Sequence, residues 1–261
     1  MCGMCGIPVV LRSDQSMGLF ITFEGLEGSG KSTQARLLYE HLQARDYPVI
    51  LTREPGGTRI GELIRRILVD LQHTEMAATT ETLLFSAARA QLVRELIQPY
   101  LSMGGIVLCD RYADSTYAYQ GYGLGHDLDE LYAIIKVATA GVLPDLTIYL
   151  DLTPEEGLER KKRARSGDME QRRKAGMLPA SVGLPPFSAP SVESGSEWNR
   201  LDARDMAYHH RVAAGFRELI QCEPQRWRVL DARLPIDQVM RGVEAVVEPL
   251  LARVTPLKDG R

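Results

Sequence analysis

The sequence has 261 residues, of which 44% are hydrophobic and 25% are charged, proportions typical of a globular chain long enough to bury a large core. The net charge of −3 and the isoelectric point of about 6.0 argue against a general binder of nucleic acids or membrane surfaces. All apolar runs fall short of the ~20 residues that a membrane-spanning helix needs. These properties predict a cytoplasmic protein with no nucleic-acid or membrane partner.

The first 17 residues show no periodic pattern, and we expect them to form a disordered N-terminal tail. Cys2 and Cys5 in this tail have the C-x-x-C spacing of a metal-binding or redox pair. The sequence offers no second pair at such a spacing and no nearby His to complete a metal site. We therefore favour an unstructured tail over a metal or redox site.

Five short apolar runs predict β-strands, and amphipathic stretches typical of helices alternate with them. The runs lie at Leu19–Glu24, Val49–Arg53, Gly105–Asp110, Leu146–Asp151 and Trp227–Asp231. The helical stretches lie at about Lys31–Arg45, Ile60–Leu71, Thr80–Ser102, Leu128–Ala140, Pro154–Arg165, Leu201–Gln221 and Ile236–Ala252. This alternation predicts an α/β fold with a five-stranded parallel sheet covered by helices on both faces. Ligands in such folds bind where the carboxyl ends of the strands meet.

One segment, residues 168–198, interrupts this alternation. It is rich in Pro, Ser and Gly and has no usable period, as expected of a functional loop or a disordered insertion. The helix predicted after it needs the same core as the earlier elements, so we do not interpret it as a linker between domains. We predict one domain over residues 18–256 and a short C-terminal tail over residues 257–261.

The stretch "GLEGSGKS", residues 25–32, matches the pattern G-x-x-x-x-G-K-[ST] in full, between a predicted strand and a predicted helix. Its glycines let backbone N–H groups point into one concavity, where they hold phosphate oxygens together with the helix N-terminus. In this motif Lys31 bridges the β- and γ-phosphates, and the Ser32 hydroxyl binds Mg²⁺. We therefore predict a P-loop NTPase fold. The residues predicted to bind ATP are Gly25, Leu26, Glu27, Gly28, Ser29, Gly30, Lys31, Ser32 and Thr33.

A P-loop does not identify the reaction, so the acceptor must be inferred from other residues. The guanine-reading sequence N-K-x-D of GTPases does not occur in the chain, which is also short for a motor protein. Arginines instead follow the second and third predicted strands, in "TREPGGT" (52–58) and "DRYADSTYAYQGYG" (110–123), and "LLFSAAR" (83–89) lies on the helix between them. Arginine grips phosphate in a bidentate manner, and a neighbouring aromatic ring suits a stacked base. This arrangement indicates a nucleoside monophosphate kinase.

These motifs, with "PDLTIYLDL" and "NRLD", resemble those of the bacterial thymidylate kinases. The likeness runs from about residue 18 to residue 253 and is interrupted by the insertion. It implies an enzyme that phosphorylates dTMP to dTDP with ATP and Mg²⁺, and it implies a homodimer. Another deoxynucleotide or nucleoside kinase is the first alternative, and a non-catalytic nucleotide-binding protein is the second.

The resemblance implies a set of contacts to the acceptor nucleoside. Phe85 would stack on thymine, and Arg89 would donate a hydrogen bond to an exposed carbonyl oxygen of the base. Thr116 and Gln120 would also contact the base. Tyr119 would press on the sugar where a ribose 2′-hydroxyl would lie, which favours deoxynucleotides. From the residues alone, Phe85 fits a core position of an amphipathic helix at least as well.

A second set of implied contacts surrounds the transferring phosphates. Arg111 and Arg65 would hold the phosphate of dTMP, and Asp110 would organise Mg²⁺ or its waters. Arg53 and Glu54 would line the acceptor phosphate and the metal, although a structural ion pair explains these two residues nearly as well.

The acidic Glu27 would accept a hydrogen bond from the deoxyribose 3′-hydroxyl instead of facing the ATP phosphates. Some relatives carry an arginine directly after this residue, where the present sequence has Gly28. The resemblance therefore implies that the catalytic arginine comes from a mobile lid over about residues 158–202. Within the lid we favour Arg165 and Arg200 over the alternatives Arg160 and Arg163. The complete predicted catalytic set is Lys31, Asp110, Arg165 and Arg200.

Overall fold

The computed structural model describes residues 18–174 and 198–257. Its five strands are β1 (Leu19–Glu24), β2 (Val49–Arg53), β3 (Ile106–Asp110), β4 (Leu146–Asp151) and β5 (Trp227–Asp231). All neighbouring strands run parallel, in the order β2-β3-β1-β4-β5. The predicted α/β fold with a five-stranded parallel sheet is confirmed, because these strands follow the predicted apolar runs closely.

Helices cover both faces of this sheet. In chain order they are α1 (Lys31–Gln43), α2 (Arg59–Val69), α3 (Ala78–Leu92), α4 (Gln98–Ser102), α5 (Ala113–Thr116), α6 (Leu128–Thr139), α7 (Pro154–Lys174), α8 (Met206–Cys222) and α9 (Ile236–Leu251). A π-helical turn, Val93–Ile97, joins α3 to α4, and a second π-helical segment, Tyr117–Gly123, continues α5.

The central strand β1 shows why the core has two halves. All six of its residues are buried, and successive side chains of a strand point to opposite faces. Leu19, Ile21 and Phe23 accordingly pack in a cluster with α1 and α9. Phe20 points the other way and packs with residues of α3, α6 and α8, its ring edge-on to Tyr112 with the centroids 4.9 Å apart.

Three segments differ from the sequence prediction. Residues 113–123 lie outside the predicted helical stretches, but they are helical, and their Tyr117 and Tyr119 are buried in one cluster with residues of α8. Helix α7 extends beyond the predicted Arg165 to Lys174 and so enters the predicted insertion. Helix α8 begins at Met206 instead of Leu201, since the Asp205 side chain accepts a hydrogen bond from the Tyr208 amide and caps the helix there.

Several predictions concern residues outside the described ranges. They are the predicted tail 1–17 with Cys2 and Cys5, most of the predicted insertion, at residues 175–197, and residues 258–261. Within the described ranges, no helix is long and apolar enough to cross a membrane.

Candidate active site

The phosphate-binding loop follows β1 and leads into α1. Gly25, Gly28 and Gly30 in this loop have φ angles of 143°, 68° and 93°, a region that only glycine adopts without strain. The ammonium of Lys31 donates hydrogen bonds to the Leu26 carbonyl oxygen at 2.7 Å and to Ser29 Oγ at 3.2 Å. Burial, followed by the like charge of Arg111, lowers the pKa of Lys31 to about 8. The loop thus has the curled backbone and the buried cation that a phosphate cradle requires.

Gly28 lies against the start of α7 with no room for a side chain. A Cβ atom at Gly28 would lie 2.1 Å from the carbonyl oxygen of Gly157, and one at Gly157 would lie 2.1 Å from that of Glu27. Neither distance is possible between nonbonded atoms. The close backbone packing therefore excludes an arginine at position 28 and fixes the first turn of α7 against the phosphate loop.

The two residues predicted to bind Mg²⁺ lie together. The carboxyl end of β3 pairs with β1 so that Asp110 is in register with Phe23, and the Ser32 hydroxyl donates a hydrogen bond to the Asp110 carboxylate. No group of three or more His, Cys, Asp or Glu residues that could hold a metal occurs in residues 18–174 and 198–257. A hydroxyl and one carboxylate still fit Mg²⁺, which takes most of its remaining ligands from water and substrate phosphates.

Glu27 points away from the phosphate cradle. Its Oε1 accepts hydrogen bonds from the Tyr119 hydroxyl at 2.7 Å and from Arg111 Nη2 at 3.2 Å, and its Oε2 lies 3.8 Å from His209 Nδ1. Burial by itself would raise the pKa of Glu27, but the charges of Arg111 and Lys31 and the Tyr119 hydroxyl hold it below the usual value. Glu27 is therefore an ionised acceptor on the side of the loop that faces Tyr119.

Arg111 connects the phosphate loop with α5. Its Nη1 donates to the Gly25 carbonyl oxygen at 3.1 Å and to Ser115 Oγ at 3.2 Å, and its guanidinium carbon lies 4.9 Å from the centre of the Tyr119 ring. Its backbone has a positive φ of 71°, an uncommon conformation for a residue with a side chain. The arrangement holds a cation between the phosphate loop and α5.

Glu24, which was not predicted as a site residue, holds this strained turn. Its Oε1 accepts hydrogen bonds from the amides of Tyr112 at 2.8 Å and Ser115 at 3.3 Å, and its Oε2 accepts one from Ser115 Oγ at 2.6 Å. Burial raises the pKa of Glu24 to about 7. No local pattern indicates this role, because in the sequence Glu24 is only the last residue of an apolar strand.

Arg89 and Glu54 form a buried ion pair. Arg89 Nε donates to Glu54 Oε2 at 2.8 Å, and Arg89 Nη2 donates to the Tyr112 carbonyl oxygen at 3.1 Å. Both side chains are at least 95% buried. Arg89 Nη1 is also buried, yet it has no hydrogen-bond partner among the residues that the structure describes. An orphaned buried donor is costly, so Nη1 marks a place where a ligand acceptor fits.

Arg53 and Arg65 occupy the edge of the site after β2. Arg53 Nη2 donates to both oxygens of Glu62, at 3.1 and 3.2 Å, and Arg65 Nη1 donates to the Pro55 carbonyl oxygen at 3.1 Å. Arg53 and Glu54 thus each form an ion pair with another residue, Arg53 with Glu62 and Glu54 with Arg89.

A cavity of about 590 Å³ extends from the phosphate loop to Phe85 and Arg89 of α3. The predicted site residues that line it are Glu27, Gly28, Gly30, Lys31, Ser32, Thr33, Arg53, Glu54, Arg65, Phe85, Arg89, Asp110, Arg111, Thr116, Tyr119 and Gln120. The predicted site residues that do not line it are Gly25, Leu26, Ser29, Arg165 and Arg200. Residues expected to bind donor and acceptor thus share one continuous space.

The two favoured lid arginines lie outside this lining. Arg165 is exposed on α7, whereas Arg200 Nη2 pairs with Glu81 Oε2 at 2.6 Å and its Nε donates to the Leu68 carbonyl oxygen at 3.1 Å. Among the described side chains of α7, the basic residues that line the cavity are Arg160 and Lys161. Because nearly every position from 160 to 165 is basic, the sequence does not reveal which of them faces inward.

Arg160 and Lys161 are each held by a residue from another element. Arg160 Nη1 donates to the Ala232 carbonyl oxygen at 2.8 Å, in the loop after β5. Lys161 Nζ donates to both oxygens of Asp202, at 2.6 and 2.7 Å. Arg160 and Lys161 therefore connect the first turns of α7 to the loop after β5 and to the segment before α8.

A phosphate loop at the carboxyl edge of a parallel sheet, facing arginines across a shared cavity, defines the class of P-loop nucleotide kinases. The family model for thymidylate kinase matches residues 23–177. The chain belongs to the thymidylate kinase family, whose members phosphorylate dTMP to dTDP, and the family predicted from the sequence motifs is confirmed.

Individual relatives agree with this family assignment. A thymidylate kinase from Roseiflexus castenholzii is 63% identical over 242 residues, which are 93% of the present chain and 98% of the relative. One from Herpetosiphon aurantiacus is 55% identical over 92% of the chain and 100% of the relative. The crystal structure of thymidylate kinase from Ehrlichia chaffeensis is similar with a TM-score of 0.62 and 30% identity, over 88% of this chain and 98% of that one.

The raised pKa of Glu24 predicts a pH dependence of stability. In the folded protein its pKa is about 7, against 4.5 for an unperturbed Glu, so between these values the native state binds more protons than the unfolded state. The contribution of Glu24 to the free energy of unfolding therefore falls as pH rises from 4.5 to 7 and is constant above 7. Glu24→Gln should flatten the stability profile in this window, as measured by urea unfolding at pH 5 and pH 7.5.

Glu95→Gln is the matched control for this measurement, because Glu95 forms an exposed hydrogen bond with Gln91. We expect it to keep the pH profile of the unmodified protein. An unchanged profile for Glu24→Gln would mean that Glu24 ionises in the folded protein as readily as in the unfolded chain.

Proposed function

We propose that the protein transfers the γ-phosphoryl group of ATP to dTMP and releases dTDP and ADP. The observation that supports this most directly is the single cavity, which is lined at one end by Lys31 and Ser32 and at the other by Phe85 and Arg89. Direct transfer requires the donor and acceptor phosphates to meet in line within one water-excluding space.

On the donor side, the backbone amides of the phosphate loop and the Lys31 ammonium bind the phosphates of ATP. Ser32 and Asp110 would hold Mg²⁺, which would neutralise charge on the phosphates. The pKa of Lys31 is lowered by burial and by Arg111, and an anionic phosphate beside Lys31 would favour its charged form again. The loop is thus suited to a polyanionic ligand.

On the acceptor side, the orphaned Arg89 Nη1 donates to a carbonyl oxygen of thymine, and Phe85 stacks on the base. Tyr119 is fixed by its hydrogen bond to Glu27, which keeps its ring against the sugar and disfavours a 2′-hydroxyl. Glu27 accepts a hydrogen bond from the 3′-hydroxyl. Thr116 and Gln120, which are buried residues of the cavity wall, complete the base site.

Arg111 and Arg65 bind the acceptor phosphate. A phosphate monoester is largely dianionic at pH 7, so it is already nucleophilic and needs no strong general base. The remaining requirement is positive charge at the transition state. Arg160 supplies it better than Arg165 or Arg200, because Arg160 lines the cavity whereas Arg165 is exposed and Arg200 is paired with Glu81.

We also propose that the chain forms a homodimer through α2. Ile60, Leu63 and Ile67 lie on one face of this helix, each between 42% and 46% exposed, and Leu71, two residues after the helix ends, is 48% exposed. An aligned and exposed apolar stripe indicates a partner surface. A second copy of the chain is the simplest partner. We expect the protein to act in the cytoplasm, and we expect neither a nucleic acid nor a membrane as its partner.

The substrate assignment is tested by measuring ATP consumption with dTMP, dUMP, dCMP, dGMP and thymidine. We expect dTMP to give the highest kcat/KM, because Phe85 can stack on thymine and Arg89 Nη1 can donate to one of its carbonyl oxygens. A different best substrate would favour another nucleotide or nucleoside kinase. ATP binding without turnover of any of these compounds would favour a non-catalytic nucleotide-binding protein.

Substitution of Lys31 separates the roles of the two ends of the cavity. Lys31→Ala should lower kcat by about 100- to 1,000-fold, since it removes a buried cation from the transferring phosphates, and it should leave the Kd for dTMP within about twofold. Steady-state kinetics and calorimetric titration with dTMP measure the two effects. Lys136→Ala, at an exposed position of α6, is the control. Loss of dTMP affinity alone would contradict the proposed division of roles.

The dimer proposal predicts that a charge within the α2 stripe dissociates the protein. Ile67→Glu should give the sedimentation coefficient of a monomer at micromolar concentration in analytical ultracentrifugation, because burying an unpaired carboxylate in an apolar interface is strongly unfavourable. Met103→Glu, at a 72% exposed position after α4, should leave the dimer intact. A monomeric unmodified protein would rule the proposal out.

A further inference from the structure

Glu81 is a fully buried carboxylate on α3 that the sequence did not single out. It lies one helical turn before Phe85 and two turns before Arg89, on the face of α3 that these residues share. Phe85 and Arg89 line the cavity, whereas Glu81 does not belong to its lining. A charge with no solvent exposure at such a position requires partners that hold it.

The two oxygens of Glu81 have different partners. Oε2 pairs with Arg200 Nη2 at 2.6 Å and accepts a hydrogen bond from Arg204 Nη2 at 2.6 Å. Oε1 accepts a hydrogen bond from Gln120 Nε2 at 2.9 Å. Both arginines belong to residues 198–205, directly before α8, so this segment holds one oxygen of the carboxylate while Gln120 binds the other.

The hydrogen bond from Gln120 Nε2 to Glu81 Oε1 determines the orientation of the Gln120 side-chain amide. An ionised carboxylate can only accept hydrogen bonds, so the group that faces Glu81 is the NH₂ end of the amide. A primary amide is planar, and its oxygen is fixed once its nitrogen is held. Gln120 is 2% exposed and lines the cavity, so it presents Oε1 as an acceptor that cannot exchange places with the nitrogen.

We propose that Glu81 is a positioning residue that determines base specificity through Gln120. By holding Nε2, it makes position 120 accept a hydrogen bond from a pyrimidine whose ring N3 carries a proton, as thymine does. A cytosine ring presents an unprotonated N3, an acceptor that the amide NH₂ would suit in the opposite orientation. The inference rests on the proposed use of dTMP, and it concerns which atoms of the base are selected.

The test compares dTMP with 5-methyl-dCMP, which keeps the 5-methyl group and changes the hydrogen-bonding edge. The measured quantity is the ratio of kcat/KM for the two substrates. In the Glu81→Gln variant, the side chain at position 81 can both donate and accept hydrogen bonds, so the Gln120 amide can adopt either orientation. We expect this ratio to fall by about tenfold, the change that corresponds to one hydrogen bond of about 1.4 kcal/mol. The KM for ATP should stay within about twofold.

Glu95→Gln is the matched control, since it changes an exposed Glu–Gln hydrogen bond outside the cavity lining and should leave the ratio unchanged. If Glu81→Gln does not fold, Glu81→Asp gives the same readout, because it keeps a charge for the two arginines but is shorter by one methylene and withdraws from Gln120.

The outcomes separate this inference from the proposed function. An unmodified protein that does not phosphorylate dTMP would overturn the proposed function. An active protein whose Glu81 variants lose activity equally on both substrates, with the ratio unchanged, would overturn the inference alone and leave Glu81 a structural residue.

Discussion

The contact between the backbones of Gly28 and Gly157 sets the geometry of the donor side. It leaves no room for a Cβ at either position, so the phosphate loop and the first turn of α7 are held at a fixed separation. One turn later, Arg160 and Lys161 therefore face the cavity. The same contact that removes a side chain from the phosphate loop thus brings basic side chains of α7 to the space that the loop encloses.

The acceptor side is organised by buried glutamates, each of which holds one part of it. Glu24 holds the turn that carries Arg111, and Glu27 holds Tyr119. Glu54 holds Arg89 and Glu81 holds Gln120. All four residues are buried, and they belong to β1, the phosphate loop, the end of β2 and α3. Their common effect is to fix the direction of a donor or acceptor.

The strands and the phosphate loop could be predicted because their signals are local. Buried parallel strands leave apolar runs, and the phosphate loop has a fixed spacing of glycines and a lysine. The buried ion pairs could not be predicted in the same way. Glu81 and Arg200 are 119 positions apart in sequence and meet only after α3 packs against the segment before α8. Tertiary packing likewise decides which basic residue of α7 faces the cavity. The sequence pattern of this helix does not, because nearly every position from 160 to 165 is basic.

Buried ion pairs are a poor source of stability, since desolvation of the two charges offsets most of their attraction. Their abundance on the acceptor side is better explained by orientation. Arg89 illustrates this point: Glu54 and Tyr112 engage its Nε and Nη2, while Nη1 stays buried and without a partner in the described part of the chain. Lys31, by contrast, donates to Leu26 and Ser29, so two of its three N–H donors are engaged within the phosphate loop. A buried donor is therefore held open at Arg89, whereas the loop itself satisfies most of the hydrogen-bonding capacity of Lys31.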